Sequence, residues 1–96
     1  MMPDEPLKPP QAKLLMREIL ENGIVTFSQP HAIERLKKHH LSQIDCENVL
    51  YGGAVRYPEY ENGTWRYQVH TPKMCVVIRF QDVAILQVIT AWRISK

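Results

Sequence analysis

The spacing of apolar residues changes from a helical period in the first half of the chain to a strand period in the second. From Pro10 onward, apolar residues recur at spacings of three and four, which is typical of a helix lying on a core; they are Ala12, Leu15, Met16, Ile19 and Leu20. We predict that Asn22-Gly23 ends this helix, because glycine accepts the left-handed conformation common at helix C-termini. The short β-prone run Ile24–Phe27 follows as an edge strand or a bridge.

Two further helices are predicted before the period changes. Ser28 can cap a helix over residues 30–40, and Pro30 suits its first turn, whose N–H groups have no partner within the helix. A third helix is predicted from Ser42, because Ser42 and Asp45 approximate a capping box with Asp in place of Glu. Gly52-Gly53 closes it.

After Gly53 the chain alternates with a period of two, which predicts strands. These strands are expected over residues 54–61, 64–71, 74–80 and 83–93. The turns between them are Asn62-Gly63, Pro72-Lys73 and Gln81-Asp82, and the first of these is a strong hairpin signal. Three short turns in succession predict an antiparallel meander, with the last strand central because it is apolar on both faces.

The element order predicts an α+β fold, in which three helices pack on a small antiparallel sheet of about four strands. With 96 residues, the chain has room for one domain, which we place at residues 10–96 after a Pro-rich flexible tail at residues 1–9. Cys46 and Cys75 form no CxxC pair, so both are expected to be reduced core thiols.

Charge, apolar runs and short motifs give no indication of a membrane protein, a metalloprotein or a nucleotide-binding protein. The net charge of +2 does not by itself indicate a nucleic-acid partner. No apolar run reaches about 18 residues and residues 1–6 do not resemble a signal peptide, so we expect a cytoplasmic protein without a membrane partner. Adjacent His39-His40 point about 100° apart on a helix, and HxxxH and Gly-rich phosphate loops are missing. We therefore expect no metal and no cofactor.

Basic and polar residues collect on one helical face and one strand face. The helical set is His31, Arg35, Lys38 and His39; the other set is Arg66, Gln68, His70, Lys73, Arg79 and Arg93. Metal-free cleavage of RNA needs a base, an acid and cations for the phosphate, and His with Arg or Lys can supply all three. Tyr51, Tyr57, Tyr60 and Trp65 could stack on unpaired bases if they are exposed, but we expect Trp65 and Trp92 to lie in the core instead. An ordinary solvated surface is the simpler interpretation of the same residues, and RNA contact stays open beside it.

Particular residues resemble a known family over the segment 20–93. They are Ser28-x-x-His31-Ala32-x-x-Arg35-Leu36, then Leu41-Ser42-x-x-Asp45-x-x-x-Val49-Leu50-x-x-Gly53, a Tyr67-containing strand, and Val88-Ile89-Thr90. This run resembles an uncharacterised bacterial domain family of the RelE/ParE toxin superfamily, and its element order resembles the MqsR-type messenger-RNA interferases.

The resemblance implies a RelE-like fold and a metal-independent endoribonuclease toxin that cleaves messenger RNA, in many members on the ribosome, and pairs with a cognate antitoxin. Under it, His31 would transfer the proton, Arg35 and Arg66 would hold the phosphate, and His70 or Tyr67 would assist. The alternative is a protein-interaction or RNA-binding domain without cleavage. A shared site requires the outer face of the second helix to lie beside the Arg66 face of the hairpin.

Overall fold

The computed structural model describes residues 1–94, which form three helices and six strands. The helices are α1 (Pro9–Asn22), α2 (His31–Lys38) and α3 (Gln43–Gly52). The strands are β1 (Ile24–Phe27), β2 (Ala54–Val55), β3 (Glu59–Glu61), β4 (Thr64–His70), β5 (Met74–Asp82) and β6 (Ile85–Arg93). Within residues 1–94, no helix is long and apolar enough to cross a bilayer. The last two residues of the predicted domain lie outside the described residues.

The strands form one mixed sheet in the order β1-β6-β5-β4-β2, and β3 pairs with the other end of β4. The α+β class with three helices is therefore confirmed, but the sheet has six strands instead of about four. Two features account for the difference. The segment 54–61 divides into β2 and β3 around Pro58, which has no N–H to donate to a ladder, and β1 joins the edge of the sheet parallel to β6.

All three helices pack on the same face of the sheet. Ala12 and Met16 of α1, Ala32 and Leu36 of α2, and Cys46, Val49 and Leu50 of α3 share one core cluster with Tyr67 and Val69 of β4. Because successive strand residues point to opposite faces, the alternate residues of β4 face away from the helices. We call this other side the open face; it carries Arg66, Gln68 and His70 of β4, Val77 of β5, and Thr90 and Trp92 of β6.

The predicted hairpin turn is confirmed. Asn62 and Gly63 have φ angles of 50° and 79°, the positive values that a two-residue type I′ loop requires at both central positions. This turn fixes the register of β3 against β4, so that Glu61 lies opposite Thr64 and Glu59 lies opposite Arg66.

The start of α3 is as predicted, whereas the start of α2 is not. At α3, the Ser42 hydroxyl accepts from the Asp45 N–H at 3.1 Å and the Asp45 carboxylate accepts from the Ser42 N–H at 2.8 Å. Ser28, expected to cap α2, instead donates its hydroxyl to the carbonyl oxygen of Ile89 at 2.9 Å. Ile89 is the bulge residue of β6, since the β5 register skips it, so the Ser28 hydroxyl compensates for an interrupted ladder.

Gly23 ends α1 for a reason other than the one predicted. Its φ of −112° is extended instead of left-handed. A Cβ atom at this position would collide with the carbonyl oxygen of Ala84, and the neighbouring Ile24 N–H donates to that same oxygen at 2.9 Å. The glycine is required by the close approach of α1 to the β5–β6 turn.

The N-terminal tail contacts the sheet at several points. The Tyr67 hydroxyl donates to the Glu5 carboxylate at 2.9 Å and accepts from the Leu7 N–H at 3.0 Å. The Leu7 side chain packs against the core. The amino group of Met1 pairs with the Asp82 carboxylate. These contacts place residues 1–8 along the helix side of the sheet; the flexibility expected for this segment stays a prediction.

Candidate functional site

The structure separates the two sets of residues that were expected to form one site. α2 buries Ala32 and Leu36 in the core that also contains Tyr67, so this helix lies on the helix side of the sheet. Arg66 and His70 lie on the open face. The arrangement that a shared site required is therefore not present, because the sheet stands between α2 and the Arg66 face of β4.

The helical set lies at the surface of α2. His31, Arg35 and Lys38 are exposed, and His39 is half-buried at the end of the helix. The last turn of α2 carries Arg35, Lys37 and Lys38, and cations there interact favourably with the negative end of the helix dipole. This face is a basic surface, and its residues line neither of the two pockets described below.

A concavity of about 230 Å³ lies on the open face. Its lining residues come from the β2–β3 connection, β3, β4, β5 and β6: Tyr57, Glu59, Glu61, Arg66, Gln68, Val77, Thr90 and Trp92. We call it the open-face concavity. Cross-strand pairing aligns Gln68, Val77 and Thr90 in one row across its floor, so three adjacent strands fix its shape.

Arg66 is the cation among the residues that line this concavity. Its Nη1 lies 4.0 Å from a carboxylate oxygen of Glu61, and the Arg66 side chain is only 23% exposed. Its buried Nε has no hydrogen-bond partner among residues 1–94. Buried donors are nearly always paired in proteins, and a guanidinium can bind an anion through two parallel N–H groups. Because the Arg66 side chain is partly exposed and lines the concavity, its guanidinium is the candidate group for binding an anion there.

Aromatic side chains flank the charged groups. The Tyr57 side chain is exposed and Trp92 is half-buried, and both line the open-face concavity. Tyr60 packs edge-on against Trp65, with ring centroids 5.1 Å apart. Trp65 contacts the core as expected, but Trp92 lies on the open face, because the β6 bulge sets Ala91 toward the helices and Trp92 away from them. Tyr57 and Trp92 can each offer a ring face to an unpaired base.

Tyr67 lies in the core and not in the concavity. Its ring is fully buried and packs edge-on against Phe80, with centroids 5.2 Å apart. Burial raises the pKa of the Tyr67 hydroxyl, and the bond to Glu5 adds to this effect. Burial likewise raises the pKa of the Glu5 carboxyl. A phenol in this position secures the tail and does not reach a substrate on the open face.

The remaining predicted residues divide between the two sides. Gln68 lines the open-face concavity, and His70 lies one row further along the same face, opposite Cys75. The Arg79 Nε donates to the Gln87 side chain at 2.8 Å. Lys73 and Arg93 lie on the helix side, where they line a second pocket.

This second pocket has a volume of about 260 Å³, and we call it the helix-side pocket. It is lined by Leu41, Asp45, Asn48, Val49, Thr71, Lys73, Met74 and Arg93. The Arg93 guanidinium donates to the carbonyl oxygens of His39 at 3.2 Å and His40 at 3.5 Å. Arg93 therefore connects the end of β6 to the end of α2.

Cysteine chemistry and metal ligation have no support in the described part of the chain. Cys46 and Cys75 are both free and buried, as predicted. Burial raises the pKa of the Cys46 thiol to about 12, which keeps it protonated and unreactive near neutral pH. In residues 1–94, no three His, Cys, Asp or Glu side chains come together as a metal-binding group.

The interpretation of the sequence missed Glu59, Glu61 and Thr90 as site residues. The signal for the two carboxylates was available in the hairpin. A two-residue Asn-Gly turn pairs residue 61 with 64 and residue 59 with 66, so Glu59, Glu61 and Arg66 had to share one face. Thr90 was hidden because the β6 bulge changes the register of the last strand.

Comparison of the chain with protein-family models, with curated proteins and with solved structures gives no match. Any assignment of function to this chain therefore rests on the geometry of the open face and on the pattern of its residues.

Proposed function

We propose that the chain is a metal-independent endoribonuclease whose reaction site is the open-face concavity. In this proposal Arg66 binds the scissile phosphate and Glu59 accepts the proton of the attacking hydroxyl. The observation that carries the proposal is the buried, unpartnered Nε of Arg66 beside two carboxylates. A pocket lined only by apolar side chains would contain neither a guanidinium nor a carboxylate.

The polar and aromatic residues of the concavity divide the work of the proposed reaction. Glu61, 4.0 Å from Arg66, orients the guanidinium. Glu59 lies opposite Arg66 on the neighbouring strand and has an exposed side chain, so its carboxylate is free to act as a base. Gln68 and Thr90 supply further hydrogen bonds to the sugar or phosphate, and Tyr57 and Trp92 stack on the flanking bases.

The proposed step is a transfer within one nucleotide. The 2′-oxygen of the ribose forms a bond to phosphorus while its proton passes to Glu59. The bond from phosphorus to the 5′-oxygen of the next nucleotide breaks, and that oxygen takes a proton from His70 or from water. The products carry a 2′,3′-cyclic phosphate and a free 5′-hydroxyl. Arg66 stabilises the charge that develops on the phosphate oxygens in the transition state.

The RelE-like fold, the toxin role and the antitoxin partner belong to the same proposal. Their support is the pattern of residues from Ser28 to Gly53 and the order of helices and strands. His31 and Arg35, in that pattern, lie on α2 away from the concavity, so the proposal assigns them to RNA or ribosome contact instead of catalysis. Induced expression should arrest bacterial growth, and co-expression of a small protein encoded next to this gene should relieve the arrest.

The direct test is cleavage of messenger RNA by the purified chain, with and without ribosomes. Glu59→Gln removes the proposed base but keeps the shape of the side chain, and should slow cleavage about 100-fold, the usual contribution of a general base. Glu21→Gln on the exposed surface of α1 is the matched control. Cyclic phosphate ends on the product support the step; intact RNA under all conditions contradicts the proposed function.

A second candidate, protein binding without cleavage, is favoured by one observation. On the outer face of α3, Ile44 and Tyr51 lie seven residues apart on one helical face and are 67% and 38% exposed. This candidate predicts that Ile44→Ser and Tyr51→Ser abolish a partner complex while growth and RNA are unaffected by expression of the chain.

A further inference from the structure

The open-face concavity is poorly charged for holding a polyanion by itself. Its ionic side chains are Glu59, Glu61 and Arg66, so carboxylates outnumber cations by two to one. Affinity for RNA comes mainly from cations that neutralise phosphates. If the concavity binds one scissile phosphate, the flanking phosphates must be neutralised elsewhere on the surface.

The helix-side pocket has the opposite balance. Its ionic side chains are Asp45, Lys73 and Arg93, and the Asp45 carboxylate is already bonded to the Ser42 N–H of the α3 capping box. The ammonium of Lys73 is exposed at the β4–β5 turn. The pocket is therefore the basic one of the two.

The two pockets lie on opposite faces of the same end of the sheet. Trp92 lines the open-face concavity, and the next residue along β6, Arg93, lines the helix-side pocket on the other face. On the neighbouring strands, His70 ends β4 on the open face and Lys73 precedes β5 on the other side. The β4–β5 turn lies at this end of the sheet, between His70 and Lys73, so a chain that passes around the turn can reach both pockets.

The basic surface continues beyond the helix-side pocket. Arg93 bonds to the carbonyl oxygens of His39 and His40, directly after the last turn of α2. That turn carries Lys37 and Lys38. A phosphate chain leaving the pocket would therefore meet further cations on α2.

We infer that single-stranded RNA leaves the open-face concavity across the β4–β5 turn and that Lys73 and Arg93 hold its backbone in the helix-side pocket. This inference rests on the proposed function. It assigns binding to one side of the sheet and cleavage to the other, so substitutions on the two sides should affect different measured quantities.

The test is the salt dependence of binding to a labelled, mixed-sequence octanucleotide with 2′-O-methyl groups, which cannot undergo attack by the 2′-oxygen. Each cation–phosphate contact on a single strand contributes about 0.7 to the slope of log affinity against log salt. From 50 to 200 mM salt, wild-type affinity should therefore fall about sevenfold more than that of the variant with Lys73→Ala and Arg93→Ala. Lys73→Ala alone, which removes no described side-chain bond, should show a difference of about two- to threefold.

The matched control replaces two exposed α1-side cations, Lys8→Ala and Arg17→Ala, and should keep the wild-type slope. A Lys73→Ala slope equal to that of wild type overturns the inference even if RNA is cleaved normally. Binding of an octaglutamate peptide as tightly as the octanucleotide also overturns it and points to an acidic protein segment. If the slope changes as expected but Glu59→Gln cleaves like wild type, the RNA path stands and the catalytic assignment fails.

Discussion

Gly53 and Gly52 are adjacent glycines at the end of α3 whose replacement by alanine should have opposite effects. A Cβ atom on Gly53 would lie 2.6 Å from the Val49 carbonyl oxygen and 2.8 Å from the His70 carbonyl oxygen. Both contacts are with backbone that is fixed by the α3 C-terminus and by the end of β4. A Cβ atom on Gly52 meets nothing within 4 Å.

The magnitudes depend on these surroundings. Relieving two backbone collisions requires α3 to move away from β4, and overpacking of this kind costs about 2 kcal/mol. Gly52 is the last helical residue, where alanine is favoured over glycine by about 0.5 kcal/mol. For a domain of this size, 1 kcal/mol shifts the melting temperature by about 4 to 8 °C. Gly53→Ala should thus lower it by about 8 to 16 °C, and Gly52→Ala should raise it by a few degrees.

Urea unfolding followed by circular dichroism measures both free energies of unfolding, and thermal melts give the temperatures. Similar slopes against urea in the two variants would show that the denatured states are comparable. Equal effects of the two substitutions, or a neutral Gly53→Ala, would contradict the close packing of the α3 end against β4.

Three further predictions concern stability. Lys13 donates to three carbonyl oxygens at the end of α3, at 2.7 to 2.9 Å. Lys13→Met should therefore lower the free energy of unfolding in urea by about 1.5 kcal/mol, whereas Lys37→Met should leave it unchanged. Equal losses of stability in the two variants would contradict the capping role of Lys13. His40 has a φ of 55° and ends α2 in the left-handed conformation, so His40→Gly should stabilise by about 0.5 kcal/mol, whereas His39→Gly, at a φ of −96°, should destabilise. Burial raises the pKa of Glu5 above its ordinary 4.5, so the stability of the wild type should fall relative to that of Glu5→Gln as the pH rises from about 4.5 to 7. A difference in stability that stays constant over this range would refute the burial of that carboxyl.

Much of the fold is determined by local chemistry that can be recognised in the sequence. The Asn62-Gly63 turn requires positive φ at both residues, and the Ser42 capping box satisfies its own backbone donors. Neither depends on distant parts of the chain. The helical spacing that begins at Ala12 likewise predicted the buried stripe of α1, because a helix must place that stripe on a core.

Long-range contacts account for what the sequence did not indicate. The parallel pairing of β1 with β6 joins residues about 60 positions apart, and no local pattern specifies it. Ser28 looked like a helix cap because its hydroxyl partner, the Ile89 carbonyl oxygen, is exposed only by a bulge in a remote strand. Gly23 looked like a left-handed cap because the oxygen of Ala84 that excludes a side chain is equally remote.

The sequence predicted only part of the candidate site, because the rest depends on long-range packing. Alternation along β4 correctly grouped Arg66, Gln68 and His70 on one face. Nothing local indicated whether α2 would pack over that face or over the other one. Since Tyr67 and Val69 are the larger apolar surface of β4, the helices cover them, and this burial leaves the polar face open.

The most direct test of the central claim compares Arg66→Ala on the open face with Arg35→Ala on α2, using initial rates of RNA cleavage at saturating substrate. Loss of a donor that stabilises the transition state costs about 100- to 1,000-fold in rate. The open-face site predicts that loss for Arg66→Ala and less than about a twofold change for Arg35→Ala, which touches only binding. A large loss for Arg35→Ala with wild-type cleavage by Arg66→Ala would contradict the account.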